Sequence, residues 1–295
     1  MGKVFLIDVA RCNGCHNCQV ACKDEHCGQA WPPYAESQPE TGQFWCKVEE
    51  EVHGTVPKVN VTYTPHIGGQ SQALLEAAGD AAYRREDGLV ILDPAKAQGR
   101  RDLAEAFPGV FWNEELNIPQ TCTGCAHLLD DGWDVPRCVD SCPTEALRFG
   151  DESDFADELA ASERLDPTSC VHYLNLPKRW VAGEVYDPEA DEVVIGAKVT
   201  LANAEGTEAV AVTETDDFGD FWFRQMEPAA YTVWVEAEGY LPRHFPVDAG
   251  AADVNAGPLA VYVATEQAYR PGEGARRAPS PTIVDKEKQG ERGSS

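Results

Sequence analysis

Four cysteines stand at Cys12, Cys15, Cys18 and Cys22, and four more at Cys122, Cys125, Cys138 and Cys142, the last followed by Pro143. Thiolates at two-residue gaps bind soft metals. Three of them in a row wrap one iron-sulfur cube as the chain loops around it, while a fourth, three residues later and starting a helix, points away toward a second cube. The first run therefore demands a second set of ligands, and the run from 122 to 143 supplies it with an expanded gap before its third cysteine. Crossing the two fourth cysteines assigns Cys12, Cys15, Cys18 and Cys142 to one [4Fe-4S] cluster and Cys122, Cys125, Cys138 and Cys22 to the other. The alternative is a pair of zinc sites, for which two CxxC pairs per ion would be usual and a third thiolate two residues on would be crowded. Lys23 stands after Cys22 where the bacterial run has proline, which removes no ligand.

The remaining cysteines, Cys27, Cys46 and Cys170, have no partner spacing and read as small buried hydrophobes. His16, His26 and His127 are scattered singly, so they are expected to pack near the metal or hydrogen-bond its ligands rather than bind it. No acid, base and nucleophile constellation is present, and no catalytic residue is assigned to this chain.

The elements that must hold these residues are short. Val4 to Ala10 reads as a first strand leading into Cys12, and Leu89 to Leu92 as another; Ser71 to Tyr83 and Ala95 to Phe107 read as helices. Residues 1–150 form the expected [4Fe-4S] domain and 151–179 an acidic connector, with a surface helix ended by Asp166-Pro167. From Trp180 the pattern changes to period two in Val181-x-Gly183-x-Val185, Ala197-x-Val199-x-Leu201 and Tyr231-x-Val233-x-Val235, separated by turns such as Asp216 to Asp220. Short strands at this spacing predict an all-β sandwich over 180–265. Residues 266–295 read as a disordered tail. The fold class is thus α+β, with the cluster domain first and the sandwich second.

The 295 residues carry 24 basic and 50 acidic side chains, a balance of −26. That charge repels phosphate backbones and anionic lipid, so nucleic acid is excluded as a partner. Direct membrane insertion is not expected, because no apolar run approaches the 18 or so residues of a spanning helix. Eleven cysteines, clustered and odd in number, with no secretory signal ahead of them, indicate metal ligation in a reducing, cytoplasmic setting rather than a disulfide framework.

Several segments carry a resemblance to a known family: Ile7 to Ala10 before the first cysteine run, Arg85 to Pro94, Trp112 to Glu115, and Cys125 to Asp131. With both cysteine runs they resemble the iron-sulfur subunits of the molybdopterin oxidoreductase (DMSO reductase) family, within it the transhydroxylase-type small subunits. Such subunits normally carry four cysteine motifs; here Thr64 to Gly69 and Phe107 to Val110 stand where the two middle ones would be, without a cysteine. The resemblance implies an electron-transfer subunit of a heterodimer. Its large catalytic partner would hold a molybdenum or tungsten bis-molybdopterin guanine dinucleotide cofactor and act on hydroxylated aromatics. The sandwich is similar to carboxypeptidase-regulatory and Cna-B domains. The alternative function is a free two-cluster ferredoxin shuttle with a β docking module, whose acidity would steer it to basic reductases.

Overall fold

A computed structural model describes residues 2–264; the expected tail, 266–295, lies outside the described residues. In chain order the elements are β1 (Lys3–Asp8), α1 (Asn17–His26), β2 (Cys46–Thr55), β3 (Lys58–Ile67), α2 (Gln72–Ala78), β4 (Ala82–Arg84), β5 (Val90–Leu92) and α3 (Arg101–Ala106). They continue with β6 (Phe111–Asn113), β7 (Ile118–Gln120), α4 (Ala126–Asp130), α5 (Arg137–Asp140), β8 (Leu147–Asp151), α6 (Ala156–Ala161) and β9 (Val171–Leu174). Eight strands follow: β10 (Arg179–Asp187), β11 (Glu192–Val193), β12 (Lys198–Asn203), β13 (Ala209–Glu214), β14 (Asp220–Met226), β15 (Ala230–Glu236), β16 (Arg243–Asp248) and β17 (Val254–Ala260). The chain divides into two compact units, one of residues 1–51 and 61–177, the other of 52–60 and 178 onward.

In the first unit β1 is the middle strand of a three-stranded sheet, antiparallel to β8 and parallel to β9. Its KVFLID run is buried from Val4 to Ile7, which is why it lacks the alternation of a half-exposed strand. Phe5, Ile7, Leu147, Phe149, Val171 and Tyr173 form the core that Cys18, Cys22, Cys122 and Cys138 join. A smaller core of Leu74, Ala78, Leu92, Leu103 and Val110 lies under α2 and α3.

The helices are shorter than the apolar spacing predicts. α2 starts where Ser71 Oγ accepts the Leu74 amide at 3.2 Å, and it ends at Gly79, whose positive φ of 56° leaves the helical region. Over 95–100 the chain turns instead of coiling, because Asp93 accepts the amides of Ala95 and Lys96 and Gly99 takes φ of 79°, so helix forms only at α3. The connector differs likewise. Its helix stops at Ser162, whose hydroxyl donates to the Leu159 carbonyl at 2.8 Å, and Glu163 then exchanges two backbone bonds with Tyr173. The connector therefore feeds β9 into the sheet of β1.

The second unit is a β-sandwich. One sheet centres on β10, antiparallel to β14 and parallel to β17, with β11 at its end; the other runs β13-β12-β15-β16. Val181, Val185, Phe221, Phe223 and Leu259 from one face meet Val199, Leu201, Tyr231, Val233 and Val235 from the other. These are the positions the period-two pattern marks, since alternate side chains of a strand share one face. In the Asp216 to Asp220 turn two of the three carboxylates have protein partners. Asp216 accepts the amides of Phe218 and Asp220 at 2.9 Å each, and Asp220 pairs with the buried Lys58.

Candidate metal centre

Both cysteine runs open with the same local device, Cys-x-Gly-Cys. In the first, Gly14 takes φ of 70° and its N–H donates to Cys12 Sγ, while Asn13 Oδ1 accepts the Cys15 amide at 3.2 Å. In the second, Gly124 takes φ of 64° and its N–H lies 3.3 Å from Cys122 Sγ. The left-handed turn aims amides at sulfur, and it packs where a side chain cannot: a Cβ on Gly14 would lie 2.5 Å from the Tyr63 ring. Each loop then passes through a left-handed residue, His16 or Cys125, into a helix. α1 carries Cys18 and Cys22 four residues apart on one face, and α5 carries Cys138, with Cys142 just beyond its end.

These loops gather the eight thiols into two groups. Cys12 feels the charges of Cys18, Cys142 and Cys15, whereas Cys22 feels those of Cys138, Cys122 and Cys125. The fourth cysteine of each run has left its own run for the other's group, because α1 reaches across to pack on α5. The groups differ in exposure. Cys22, Cys122, Cys125 and Cys138 are buried, while in the other group Cys18 is buried, Cys12 and Cys142 are half-buried and Cys15 is exposed. Burial pushes the Cys122 thiol up to about 12 and raises Cys22 and Cys125 as well, with neighbouring thiolate charge adding to it. These thiols hold their protons at neutral pH until a metal displaces them.

Four thiols around one space, with amide N–H groups aimed at the sulfurs, is the donor set of a cubane cluster. Among the described residues, no three His, Cys, Asp or Glu side chains close on the common point that a single tetrahedral ion requires. Each group offers the four thiols that one [4Fe-4S] cube takes.

The single histidines divide. His26 is buried, packs on Trp45 at 4.6 Å between ring centres, and brings Nε2 to 3.8 Å from Cys125 Sγ. Burial, with His127 beside it, holds its imidazole down at about 3, so it is neutral. His127 stacks on Trp31 at 4.3 Å and meets Glu25 Oε1 at 3.0 Å. His16 serves as the backbone entry to α1 and makes no side-chain cap. Of the spare cysteines, Cys170 is close enough to Cys122 for its charge to be felt there, and Cys46 is buried in the core that Cys18, Cys22, Cys122 and Cys138 share. Spacing in the sequence carries no signal for either, because both arrive through strand register rather than a loop motif.

Where the middle cysteine motifs are missing, backbone fills the space. A Cβ on Gly68 would lie 2.3 Å from the Gly109 carbonyl oxygen, which also accepts the Thr121 hydroxyl at 2.7 Å. A cleft of about 430 Å³ opens beside this contact, walled by Phe44, Trp45, Pro108, Phe111 and Tyr173.

Comparison with known proteins places these features. A 4Fe-4S dicluster domain matches residues 70–152, which hold the second cysteine run, and a carboxypeptidase regulatory-like domain matches residues 181–257. The pyrogallol hydroxytransferase small subunit of Pelobacter acidigallici is 37% identical over 254 residues, covering 80% of this chain and 90% of that protein. The beta subunit of formate dehydrogenase from Megalodesulfovibrio gigas is 29% identical, covering 56% of this chain and 83% of that protein. YnfG of Escherichia coli, a probable anaerobic dimethyl sulfoxide reductase chain, is 26% identical, covering 57% of this chain and 83% of that protein.

Proposed function

Since the protein belongs to the iron-sulfur subunits of the molybdopterin oxidoreductase family, being 37% identical to a small subunit of which it spans 90%, we propose that it is the electron-transfer subunit of a two-subunit oxidoreductase. It carries two [4Fe-4S] clusters. We assign Cys12, Cys15, Cys18 and Cys142 to one, and Cys22, Cys122, Cys125 and Cys138 to the other. The single observation that carries this assignment is the exchange of Cys22 and Cys142 between the two thiol groups. Clusters held by these cysteines would supply reversible electron transfer.

The chain's own residues do the rest. The amides of Gly14 and Gly124 donate to ligand sulfur, which favours the more negative, reduced state. Cys22, Cys122, Cys125 and Cys138 are all buried, so water is kept from the second group and charge there is less screened than at the surface. Cys18 and Cys22 on α1 and Cys138 on α5 would hold parts of both clusters from one pair of packed helices.

The partner is a large catalytic subunit, which in this reading holds a molybdenum or tungsten bis-molybdopterin guanine dinucleotide. The substrate class is hydroxylated aromatics, after the Pelobacter relative, whose name gives pyrogallol as its substrate. The eleven unpaired cysteines suit a reducing cytoplasm. No helix among the described residues is long and apolar enough to cross a membrane.

Anaerobic co-expression with a molybdopterin-binding large subunit from the same organism, followed by size-exclusion chromatography and metal analysis, tests this. Co-elution with molybdenum or tungsten, and eight irons on the separated small subunit, is expected. A protein that elutes alone with eight irons would be a free shuttle instead, and one binding two zinc ions would end the redox reading.

A further inference from the structure

The two segments that lack the middle cysteines, Thr64 to Gly69 and Phe107 to Val110, close on each other at Gly68 and Gly109 and leave a cleft of about 430 Å³ beside that contact. Such a volume lies within the range of about 300–1,000 Å³ usual for small-molecule sites. The walls are held in place. The Trp45 ring packs on His26 at 4.6 Å between ring centres, its Nε1 donates to Gln43 Oε1 at 3.2 Å, and its carbonyl accepts the Gly68 amide at 3.1 Å. Phe44, Phe111 and Tyr173 bring three more rings to the lining.

Aromatic walls favour a flat aromatic occupant, since rings pack by offset stacking or edge-to-face contact. The polar groups among them decide what that ring carries. Tyr173 is only 4% exposed, and its hydroxyl has no hydrogen-bond partner among the described residues, although a buried tyrosine ordinarily finds one. Glu49 Oε2 lies 3.0 Å from His66 Nε2, and the carboxylate keeps lone pairs for a further donor. A hydroxyl both donates and accepts, so it suits Tyr173 and Glu49 alike. An ionised carboxylate does not: it has no proton to give Glu49, and Asp166 adds a second negative charge to the lining against the ammonium of Lys47.

We propose that this cleft binds a planar aromatic molecule bearing a hydroxyl group, with its ring against Trp45 and Phe111 and its hydroxyl accepting from Tyr173 or donating to Glu49. Binding there does not depend on the cluster assignment, because no cysteine lines the cleft.

The test is anaerobic calorimetric titration of the purified full chain, with iron counted, using β-naphthol and β-naphthoate, which share a ring system and differ in the polar group. One equivalent of β-naphthol is expected to bind, and β-naphthoate to bind at least about tenfold more weakly. Tyr173→Phe and Glu49→Ala, each removing one polar partner, should each weaken β-naphthol by about two- to tenfold with the iron content unchanged. Glu49 is exposed on β2, so its variant decides the matter if Tyr173→Phe does not fold. Absence of saturable binding, β-naphthoate binding as tightly as β-naphthol, or an affinity that either folded variant leaves unmoved would overturn the proposal. A wild-type chain without eight irons would count against the clusters alone, so the two readings fail separately.

Discussion

Leu89 and Gly124 meet so closely that a Cβ on the glycine would lie 2.6 Å from Leu89 Cδ1. The contact joins β5's approach strand to the second cysteine loop, and Leu89 is fully buried, so it cannot swing away. Gly124→Ala adds a methyl there and puts a side chain at φ of 64°. The expected cost is about 2–4 kcal/mol from overpacking and backbone strain together. Gly132→Ala, at φ of 92° with nothing within 4 Å, bears the backbone part alone and should cost about 1–2 kcal/mol. Thermal unfolding of both variants measures the difference, and equal losses would mean that Leu89 does not constrain the loop.

Ligand and spare cysteines separate by iron content and by pH. Cys138→Ala should lose four of eight irons, whereas Cys170→Ala should lose none. Burial pushes the Cys170 thiol up to about 11 from an ordinary value of 9.0. A thiol with a raised folded value binds its proton more tightly in the folded chain. Its contribution is therefore whole below pH 9 and is lost as pH rises toward 11. Cys170→Ala should flatten that alkaline decline in melting temperature. An alkaline limb identical to the wild type's would show that the Cys170 thiol does not titrate there.

Much of the site is legible from Cys spacing because a cluster-binding loop is a local structure: Cys12 to Cys18 lie within one turn and the start of a helix. Spacing also puts Cys22 one helical turn beyond Cys18 along α1. The sandwich strands are legible for a like reason, as one buried face imposes period two on Val199, Leu201, Val233 and Val235. What spacing does not carry is long-range register. Cys46 enters the core around the ligand cysteines on a β2 tied to Gln19, and β9 lies parallel to β1 with Val171 opposite Phe5. Helix lengths failed locally too, at Gly79 and at Asp93, where a turn satisfies the amides that a helix would have used.

Arg85 and Asp130 form a two-pronged pair, with Nη2 to Oδ1 at 2.7 Å and Nη1 to Oδ2 at 3.1 Å, and Arg85 also holds Asp87. The guanidinium, with the Tyr34 hydroxyl, holds the Asp130 carboxyl down at about 2. Asp130 ends α4, the helix that follows Cys125, so the pair ties that helix to the strand region before Leu89. Lysine has no fork and would keep one prong at most. Arg85→Lys should cost about 1 kcal/mol, the Asp130 side being half-exposed and screened. A double-mutant cycle with Asp130→Asn should recover most of that as coupling. Additive losses would show that the two residues act separately.

A balance of −26 over 295 residues leaves carboxylates with too few cations to meet them. Glu152, Asp154 and Asp157, all exposed, crowd one short stretch at the start of α6, where only Asp154 is committed to a cap. Compact folding brings such charges nearer each other than in the open chain, so repulsion is a cost of the folded state. Added salt shortens the reach of that repulsion, from about 10 Å at 0.1 M to about 3 Å at 1 M. The melting temperature should therefore rise over that range, and rise as much in potassium chloride as in sodium chloride, because screening depends on ionic strength and not on a bound ion. Replacing Glu152 and Asp157 by glutamine should reduce the slope. A melting temperature indifferent to salt would mean that the acidic surface is already neutralised, by ion pairs such as Arg148 with Glu158, and would remove charge repulsion as a factor in this fold.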